Sequence, residues 1–355
     1  MTTAFHGGAF WEALDPTFPP GYGERDIVVA DVLDAWFPPA PGVIAALGDG
    51  AERLARTSPP THAEGLIRVL SERRGIAASS IAVGAGSSDL LYRALPRWIG
   101  RGSRVLLPEP TYGEYAHLIE TVLGARVDRF PILDGFEVAQ WEKELAANAY
   151  DLAVLVNPNN PTATTIGREE IVRAARRTRT RLLVDEAYMD YLDRDESVQC
   201  DIASLPNLVV VRSLSKGLAL SGLRAAYLVA SPNVAAEIRA LTPPWNLSGP
   251  AQIGAIRALE DPDYYAGRYA QTITLRRRLA TRLCGYGLTV REGINWVLAE
   301  VEDAAAFVAA AQERGAYIRD AGRTAPSLGD RWVRIAVGDE AVQDRLMTRL
   351  FPPSA

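Results

Sequence analysis

Short apolar runs alternate along the chain with segments whose apolar residues recur at helical spacing. The stretch SSIAVGAGSSDLLYRALPRWI predicts a strand, a glycine loop and a helix, whose apolar face is formed by Leu90, Leu91, Ala94, Leu95 and Trp98. The same order recurs in SRVLLPEPTYGEYAHLIETVLG, and again in DLAVLVNPNNPT followed by REEIVRAARRT. Further strands are predicted in TRLLVDEAYMDY, NLVVVRSLSKG and RAAYLVAS. Repeated strand–helix units with apolar strands favour an α/β fold, in which a mostly parallel sheet is covered by helices on both faces.

The pattern divides the chain into three regions. Residues 1–40 are rich in proline, glycine and aromatic residues and predict an irregular arm. Residues 41–255 hold the alternating units and predict a large domain. Residues 256–355 contain a basic helix, TLRRRLATRLCGYG, and then the segments NWVLAEV, AAAFVAAAQERG, AYIRDAG, WVRIAVG and DEAVQDRLMTRLF. This order of strand, helix, two strands and helix predicts a smaller α+β domain packed on the first.

Composition and charge exclude several classes of function. Of the 355 residues 48% are hydrophobic and 23% are charged, and the net charge of −5 is spread along the chain. Neither nucleic acid nor a membrane is therefore an expected partner. The start of the chain lacks the basic and apolar regions of a signal peptide. Because Cys200 and Cys284 fit no disulfide or metal spacing, we expect a cytoplasmic protein. Its three histidines, His6, His62 and His117, are too scattered to predict a metal site.

The chain has two lysines, Lys143 and Lys216, although it has 38 basic residues. The general preference for arginine is explained by base composition, because arginine and lysine codons differ in GC content. Lys143 lies between glutamates in WEKEL, which is typical of a solvated helix face. Lys216 lies among serines, glycines and leucines in SLSKGLALSGLR. Arginine cannot replace a lysine that reacts as an uncharged amine, and a lysine that forms a Schiff base is such a case.

Several polar groups follow predicted strands, where open α/β sheets bind their ligands. The loop GAGSS at residues 84–88 offers backbone N–H groups at a helix N-terminus, as phosphate sites do, although such loops are also common turns. Asp185 ends the strand RLLVD. Its carboxylate has two alternative roles, either to bind a ligand or to cap the turn that follows. Ser213, Ser215 and Arg224 surround Lys216 in the sequence and suit a phosphate. A lysine, a carboxylate for a protonated ring nitrogen and donors for a phosphate are together what pyridoxal 5′-phosphate requires.

The chain resembles the fold-type I pyridoxal-phosphate aminotransferases, and most closely their histidinol-phosphate aminotransferase-like group. The resemblance covers roughly residues 30–350 and rests on six motifs in the family's order: GAGSSD, PEPTYGEY, NPNNPT, DEAYMDY, SLSKGLALSGLR and WVRIAVG. It implies an aspartate-aminotransferase-like sheet sandwiched by helices, a smaller C-terminal domain and pyridoxal 5′-phosphate as the cofactor. It also implies a homodimer, which the aromatic arm favours because that arm needs a surface on which to lie.

The resemblance further implies a role for each residue that matches a family motif. Lys216 is expected to form the imine with the cofactor and to move the proton at the substrate Cα. Asp185 is expected to pair with the pyridine nitrogen, and Tyr188 and Asn160 to hydrogen-bond the phenolic oxygen. Tyr112 resembles the aromatic residue that stacks on the ring.

Two further groups of residues are implied to bind anions. The cofactor phosphate is expected to be held by Gly86, Ser87, Ser88, Ser213, Ser215 and Arg224. Arg334 in WVRIAVG resembles the arginine that binds the anionic group of the substrate. Arg319 in YIRDAG resembles a second anion-binding arginine, with an exposed surface charge as the alternative.

The chain departs from the family pattern in segments that face the substrate. The arm motif N-E-N-P-Y corresponds to LDAWF, so that Phe37 takes the position of a tyrosine and Trp36 that of a proline. The family's R-Y-P motif, whose tyrosine reaches the neighbouring subunit's cofactor, corresponds to ARTSPPTHAEGL, with Thr57 and Ser58 in that region. His62 lies nearby, either in the site or on the surface. Trp36, Phe37 and His62 are therefore predicted to contact the substrate, and histidinol phosphate is not the expected substrate.

Three functions are compatible with these residues. The first is an aminotransferase that moves an amino group from a small amino donor with an anionic group to a 2-oxo acid, by a ping-pong mechanism. The second is a pyridoxal-phosphate decarboxylase of the amino-acid-phosphate type, or another enzyme of this cofactor that does not transaminate. The cofactor motifs are compatible with both of these reactions. The substrate bond that lies perpendicular to the cofactor ring is the one that breaks, and the motifs do not determine which bond that is. A non-catalytic sensor is disfavoured, because the full set of cofactor residues is present.

Overall fold

The computed structural model describes residues 7–21 and 25–353. Its largest sheet has seven strands, which are in chain order β2 (Ile81–Gly84), β3 (Arg104–Glu109), β4 (Arg126–Pro131), β5 (Leu152–Val156), β6 (Arg181–Asp185), β7 (Leu208–Ser213) and β8 (Ala226–Val229). Their spatial order is β2-β8-β7-β6-β5-β3-β4. The strands from β7 to β4 are parallel, whereas β8 runs antiparallel to both β2 and β7.

Helices cover both faces of this sheet. They are α2 (Pro41–Arg56), α3 (Glu64–Arg74), α4 (Ser87–Trp98), α5 (Gly113–Ala116) with a π-helical turn (His117–Val122), α6 (Val138–Ala147), α7 (Arg168–Arg177), α8 (Leu214–Gly217), α9 (Pro232–Ala240) and α10 (Gly249–Leu259). Successive strand residues point to opposite faces, so that Val210 joins one hydrophobic core while Val209 and Val211 join the other. The predicted mostly parallel sheet between two helical layers is confirmed.

A smaller α+β region follows, as the sequence predicts. Helix α11 (Pro262–Gly285) leads into it, and its other elements are β9 (Thr289–Glu292), β10 (Trp296–Glu300), α12 (Ala304–Glu313), β11 (Ala316–Tyr317), β12 (Arg319–Asp320), β13 (Trp332–Ala336) and α13 (Glu340–Leu350). An antiparallel sheet has the order β12-β13-β10-β9. Strand β9, like β4 of the large sheet, is absent from the elements predicted above. The domain boundaries at residues 40 and 255 stay predictions.

The expectation of an irregular arm is wrong for part of the N-terminal region. Residues Phe10–Leu14 form helix α1, and Val28–Val29 form strand β1, which pairs in parallel with β11. Phe10 and Leu14 pack on Tyr317 of the small region. Because β1 pairs with a strand nearly three hundred residues away, no local sequence pattern predicts it. The arm's residues 1–6 and 22–24 lie outside the described residues.

The arrangement of the sheet determines where the site lies. The parallel strands β5, β6 and β7 end at Val156, Asp185 and Ser213, so the segments that follow them meet at one edge of the sheet.

In the described ranges, no helix is both long and apolar enough to span a bilayer.

Candidate active site

The backbone that carries Lys216 is held by tyrosine hydroxyls. Lys216 lies in the four-residue helix α8, directly after β7, and a helix this short leaves its terminal carbonyls without helical partners. Tyrosine hydroxyls from two other elements donate hydrogen bonds to these carbonyls. Tyr191 donates to the Lys216 carbonyl at 2.9 Å, and Tyr269 donates to the Gly217 carbonyl at 3.1 Å. Tyr265 donates to the Leu218 carbonyl at 3.2 Å. At the other end of α8, Ser213 Oγ accepts the N–H of Ser215. The turn is therefore fixed at both ends.

Lys216 opens onto a cavity of about 200 Å³ at the carboxyl edge of the sheet. Eight of the sixteen residues that the sequence predicts for the site line it. The lining residues are Gly7, Asp31, Val32, Leu33, Ser87, Tyr112, Val156, Asn160, Asp185, Ala187, Tyr188, Ser213, Lys216 and Arg334. They come from the arm, the large sheet and the small region, so the cavity lies between the two parts of the chain.

Asp185 is a buried carboxylate at the end of β6. Its side chain is 3% exposed, accepts a hydrogen bond of 2.8 Å from the Tyr115 hydroxyl, and accepts another of 3.0 Å from the Ala187 N–H. Burial raises its pKa to about 6. Among the described residues it forms no ion pair, so its negative charge has no protein cation against it.

Tyr188 and Asn160 lie on the same wall of the cavity. The Tyr188 ring packs edge-on against Trp296, with 4.9 Å between the ring centres, and its hydroxyl faces the Asn160 side chain. Burial raises the pKa of the Tyr188 phenol, so this group is a neutral hydrogen-bond donor. Asn160 Oδ1 in turn accepts a hydrogen bond of 3.0 Å from Arg334.

Arg224 and Gly86 lie against each other, next to Ser87, the loop residue that lines the cavity. A Cβ atom at Gly86 would overlap the Arg224 guanidinium, so only glycine allows this close approach, and the φ of Gly86 is +94°. Arg224 also donates to Ser215 Oγ at 3.3 Å. Ser87 lines the cavity, whereas the Ser88 hydroxyl donates to Glu114, which also accepts the Tyr112 hydroxyl at 2.7 Å.

Arg334 and Asp31 also line the cavity, and a second buried arginine, Arg319, lies beside Arg334. Arg319 and Arg334 are partners across β12 and β13, and burial lowers the pKa of each, that of Arg319 to about 10. Asp31 faces both guanidinium groups, and its backbone carbonyl accepts from Arg334 at 3.2 Å. Arg334 Nε has no hydrogen-bond partner among the described residues. Arg319 lines an adjoining cavity of about 280 Å³ that also contains Asp31.

Comparison with known proteins gives the family. Residues 33–350 match the family described as aminotransferase class I and II. The chain belongs to the class I and II aminotransferases. A histidinol-phosphate aminotransferase of Archaeoglobus fulgidus is 29% identical over 351 residues, which cover 96% of this chain and 97% of that relative. An aromatic amino acid aminotransferase of Streptomyces avermitilis is 31% identical over 317 residues, 87% of this chain and 85% of that relative.

The solved structures agree on the fold of this aminotransferase. The histidinol-phosphate aminotransferase of Sinorhizobium meliloti, in complex with pyridoxal-5′-phosphate, superposes with a TM-score of 0.84 at 23% identity, covering 98% of this chain and 94% of that one. The resemblance read from the six motifs is confirmed, and pyridoxal 5′-phosphate is the cofactor of this family.

Trp36 and Phe37 are not in the cavity of the aminotransferase, so their predicted contact with the substrate is corrected. Phe37 is 2% exposed and packs against the rings of Tyr265 and Tyr269 on α11. Trp36 donates from Nε1 to Thr272 on the same helix at 2.9 Å. Phe37 therefore packs on two of the tyrosines that hold the Lys216 turn, and the Trp36 ring lies edge-on to Phe37 beside the same helix.

His62 is also outside the cavity of this chain. It is exposed, and it lines a separate cavity of about 460 Å³ together with Arg239 and Asn246. Thr57 and Ser58 line a third cavity of about 600 Å³ between α2 and α10. Within one chain, none of the three contacts the residues around Lys216.

Several site residues are missed by the sequence reasoning. Tyr115 and Ala187 could have been selected from the sequence, because they follow Tyr112 and Asp185 within the same motifs. No signal in the sequence selects Asp31 or Asp34. Asp31 reaches the site only when the arm packs on the small region, and Asp34 Oδ1 lies 2.8 Å from Lys216 Nζ, across 182 residues of sequence.

Proposed function

We propose that the cavity at Lys216 is the active site of this aminotransferase, and that it transfers an amino group between an amino acid, or a related amine with one anionic group, and a 2-oxo acid. The carrying observation is that Lys216 and the buried, cation-free Asp185 line the same cavity. A buried carboxylate is costly unless a positive charge faces it. A protonated ring nitrogen of the cofactor would be that charge.

The other end of the cavity suits the cofactor phosphate. Ser87 lies at the N-terminus of α4, where backbone N–H groups favour anions. Gly86 keeps the loop close to Arg224, and Ser213 and Ser215 add hydroxyls beside α8. These contacts support the predicted phosphate site, whereas the Ser88 hydroxyl is directed to Glu114.

The chemistry assigns a task to each side chain. Pyridoxal 5′-phosphate, when bound, supplies an aldehyde that condenses with amines and a ring that accepts electrons from the substrate carbon. Lys216 Nζ would be the amine that holds the cofactor and that moves the proton at the substrate Cα. Asp185 would keep the ring nitrogen protonated, and Tyr188 and Asn160 would orient the ring through hydrogen bonds. Tyr112 would cover a face of the ring and exclude water from it.

The charge around Arg334 indicates the kind of substrate. Arg334 lines the cavity, is buried, and has an Nε without a hydrogen-bond partner among the described residues, so an anionic group of the substrate would meet a guanidinium there. The position of the family's tyrosine is taken by the enclosed Phe37, which favours a substrate other than histidinol phosphate.

The half-reaction tests the proposed function directly. The holoenzyme is mixed anaerobically with single amino acids, amino alcohols or their phosphates, without a 2-oxo acid, and the released cofactor is identified by mass spectrometry. Conversion to pyridoxamine 5′-phosphate with a carboxylate donor supports the proposal. Carbon dioxide release with the pyridoxal form retained, by any compound of the panel, would assign the decarboxylase instead.

Arg334→Lys is expected to raise the KM of a converting amino acid at least about tenfold. A lysine cannot reproduce the two-pronged hydrogen bonding of a guanidinium, and such charged bonds contribute about 1.5–3 kcal/mol. Arg331→Lys is the matched control, because Arg331 directly precedes the same strand and 60% of its side chain is exposed. Equal KM values for the two variants in steady-state assays would remove Arg334 from substrate binding.

A homodimer is the expected assembly. Ile44 on α2 and Trp245 between α9 and α10 are 52% and 54% exposed, and the Trp245 N–H donates to Thr61, next to His62. A dimer interface would cover exposed apolar side chains such as these. Sedimentation equilibrium at micromolar concentration should give the mass of two chains, and Trp245→Asp should shift the equilibrium toward one chain. A wild-type monomer at that concentration would contradict the expectation.

A further inference from the structure

Glu114 connects two parts of the cavity wall through one oxygen atom. Its Oε2 accepts a hydrogen bond of 2.7 Å from the Tyr112 hydroxyl and another of 2.9 Å from the Ser88 hydroxyl. Tyr112 lines the cavity, and Ser88 lies in the first turn of α4, directly after Ser87, which also lines it. We propose that Glu114 is a positioning residue, which holds the Tyr112 ring in one place against the cofactor ring. The inference rests on the proposed role of Tyr112.

The burial of Glu114 makes these hydrogen bonds strong. Glu114 is 5% exposed, and hydrogen bonds to a carboxylate are shorter and stronger than those between neutral groups. Burial, and next the charge of Glu114, raise the pKa of the Tyr112 phenol, so its hydroxyl keeps its proton and donates it. A ring that moved away from this contact would leave a buried acceptor without that donor, which is unfavourable.

The backbone from which both side chains extend is anchored on two sides. Thr111 Oγ1 donates a hydrogen bond of 2.6 Å to Asn159 Oδ1, and Asn159 Nδ2 donates one of 2.9 Å to the Pro110 carbonyl. On the other side, a Cβ atom at Gly113 would lie 2.7 Å from the Thr324 carbonyl oxygen. The small region therefore packs directly on the first turn of α5, and this turn has a fixed place beside the cavity.

Two contacts with different effects define the placement of the Tyr112 ring. The hydrogen bond to Glu114 fixes the outer end of the ring, because the hydroxyl lies on the ring axis. Rotation about that axis is opposed by Tyr115, whose ring packs edge-on with 6.2 Å between the ring centres and 81° between the planes. Tyr115 is itself held by its hydrogen bond to Asp185. Without Glu114 the outer end of the Tyr112 ring would lose its constraint, and the contact area with the cofactor ring would decrease.

The affinity for pyridoxamine 5′-phosphate tests this role without any reaction. This form has no aldehyde, so it binds without a covalent bond to Lys216, and titration of the full-length, cofactor-free protein gives its Kd. Aromatic contacts are worth a factor of about three to ten in an equilibrium constant, and Glu114→Leu should weaken binding by that factor. Glu114→Gln keeps an acceptor oxygen and should bind within about twofold of the wild type. The circular dichroism of the bound cofactor should likewise be reduced in Glu114→Leu and retained in Glu114→Gln.

A double-mutant cycle shows whether Glu114 acts through Tyr112. In a Tyr112→Phe background, which lacks the hydroxyl, Glu114→Leu should weaken binding by less than about twofold. Glu120→Leu is the matched control, because Glu120 lies on the π-helical turn that continues α5 and pairs with Arg129 at 2.8 Å instead of lining the cavity. This control should bind the cofactor as the wild type does.

Glu114→Ala, a second variant without the carboxylate, should match Glu114→Leu. Wild-type affinity in both of these variants, an equal loss in Glu114→Gln, or the same loss in the Tyr112→Phe background would overturn the inference and leave the proposed function intact. A wild-type protein that fails to bind pyridoxamine 5′-phosphate would overturn the proposed function, and this inference with it. The two failures are therefore distinguishable.

Discussion

Lys216→Ala is expected to abolish amino transfer, with a loss of at least about 10⁴-fold in the half-reaction rate. The side chain supplies both the amine that holds the cofactor and the group that moves the proton, and no second lysine can replace it. The only other lysine, Lys143, lies on the exposed face of α6. After treatment with borohydride, the wild-type protein should carry the cofactor covalently at residue 216, and the variant should not.

Lys143→Ala is the matched control for this experiment. It removes the same side chain from a position outside the cavity, so both the covalent adduct and the half-reaction rate should remain at wild-type level. Full activity in Lys216→Ala would remove the lysine, and with it the proposed site, from the mechanism.

Asp185→Asn is expected to have opposite effects on catalysis and on the stability of the cofactor-free protein. The amide cannot balance a protonated ring nitrogen, so amino transfer should fall by two orders of magnitude or more and cofactor affinity should fall about tenfold. Without cofactor, the variant should be more stable than the wild type. It no longer buries a carboxylate whose pKa is raised to about 6.

The pH dependence of this stability difference follows from the direction of the pKa change. An acid whose folded pKa lies above its unfolded value destabilises the folded state once it ionises. The difference between Asp185→Asn and wild type should therefore be small near pH 4, increase up to about pH 6, and stay constant above it at roughly 3 kcal/mol.

Urea unfolding of the cofactor-free proteins at pH 4.5 and pH 8 measures this difference. Asp193→Asn, an exposed carboxylate on the segment after β6, should show no comparable change. Equal stability of wild type and Asp185→Asn at pH 8 would contradict the assignment of Asp185 as a buried, uncompensated charge.

Beneath the cavity, a buried ionic network supports the segments that carry these groups. Arg212 is 2% exposed, pairs with Glu186 at 3.0 Å and also bonds to Asp190, which pairs with Arg74 at 3.1 Å. Glu186 and Asp190 lie on either side of Tyr188 in the motif DEAYMDY. The acidic residues of this motif thus divide their tasks, because Asp185 faces the cavity while the other two are neutralised behind it.

The sequence by itself determined the α/β fold, the order of most elements and the cofactor chemistry. Apolar runs and helical spacing are local signals, and they predict β2, β3 and β5 to β8 together with helices α4, α5 and α7. The motif residues Lys216, Asp185, Tyr188 and Asn160 meet because parallel strands end at one edge of a sheet, a rule that requires no knowledge of side-chain packing.

Only the tertiary structure decided which residues of the N-terminal region belong to the site. Asp31 and Asp34 reach the cavity because β1 pairs with β11, whereas Phe37 is withdrawn into the packing against α11. Alignment with the family motif places Phe37 at the substrate and gives no reason to select the two aspartates. The physical reason is that these contacts join segments about 180 to 300 residues apart, and such pairings depend on complementary packing surfaces rather than on any local pattern.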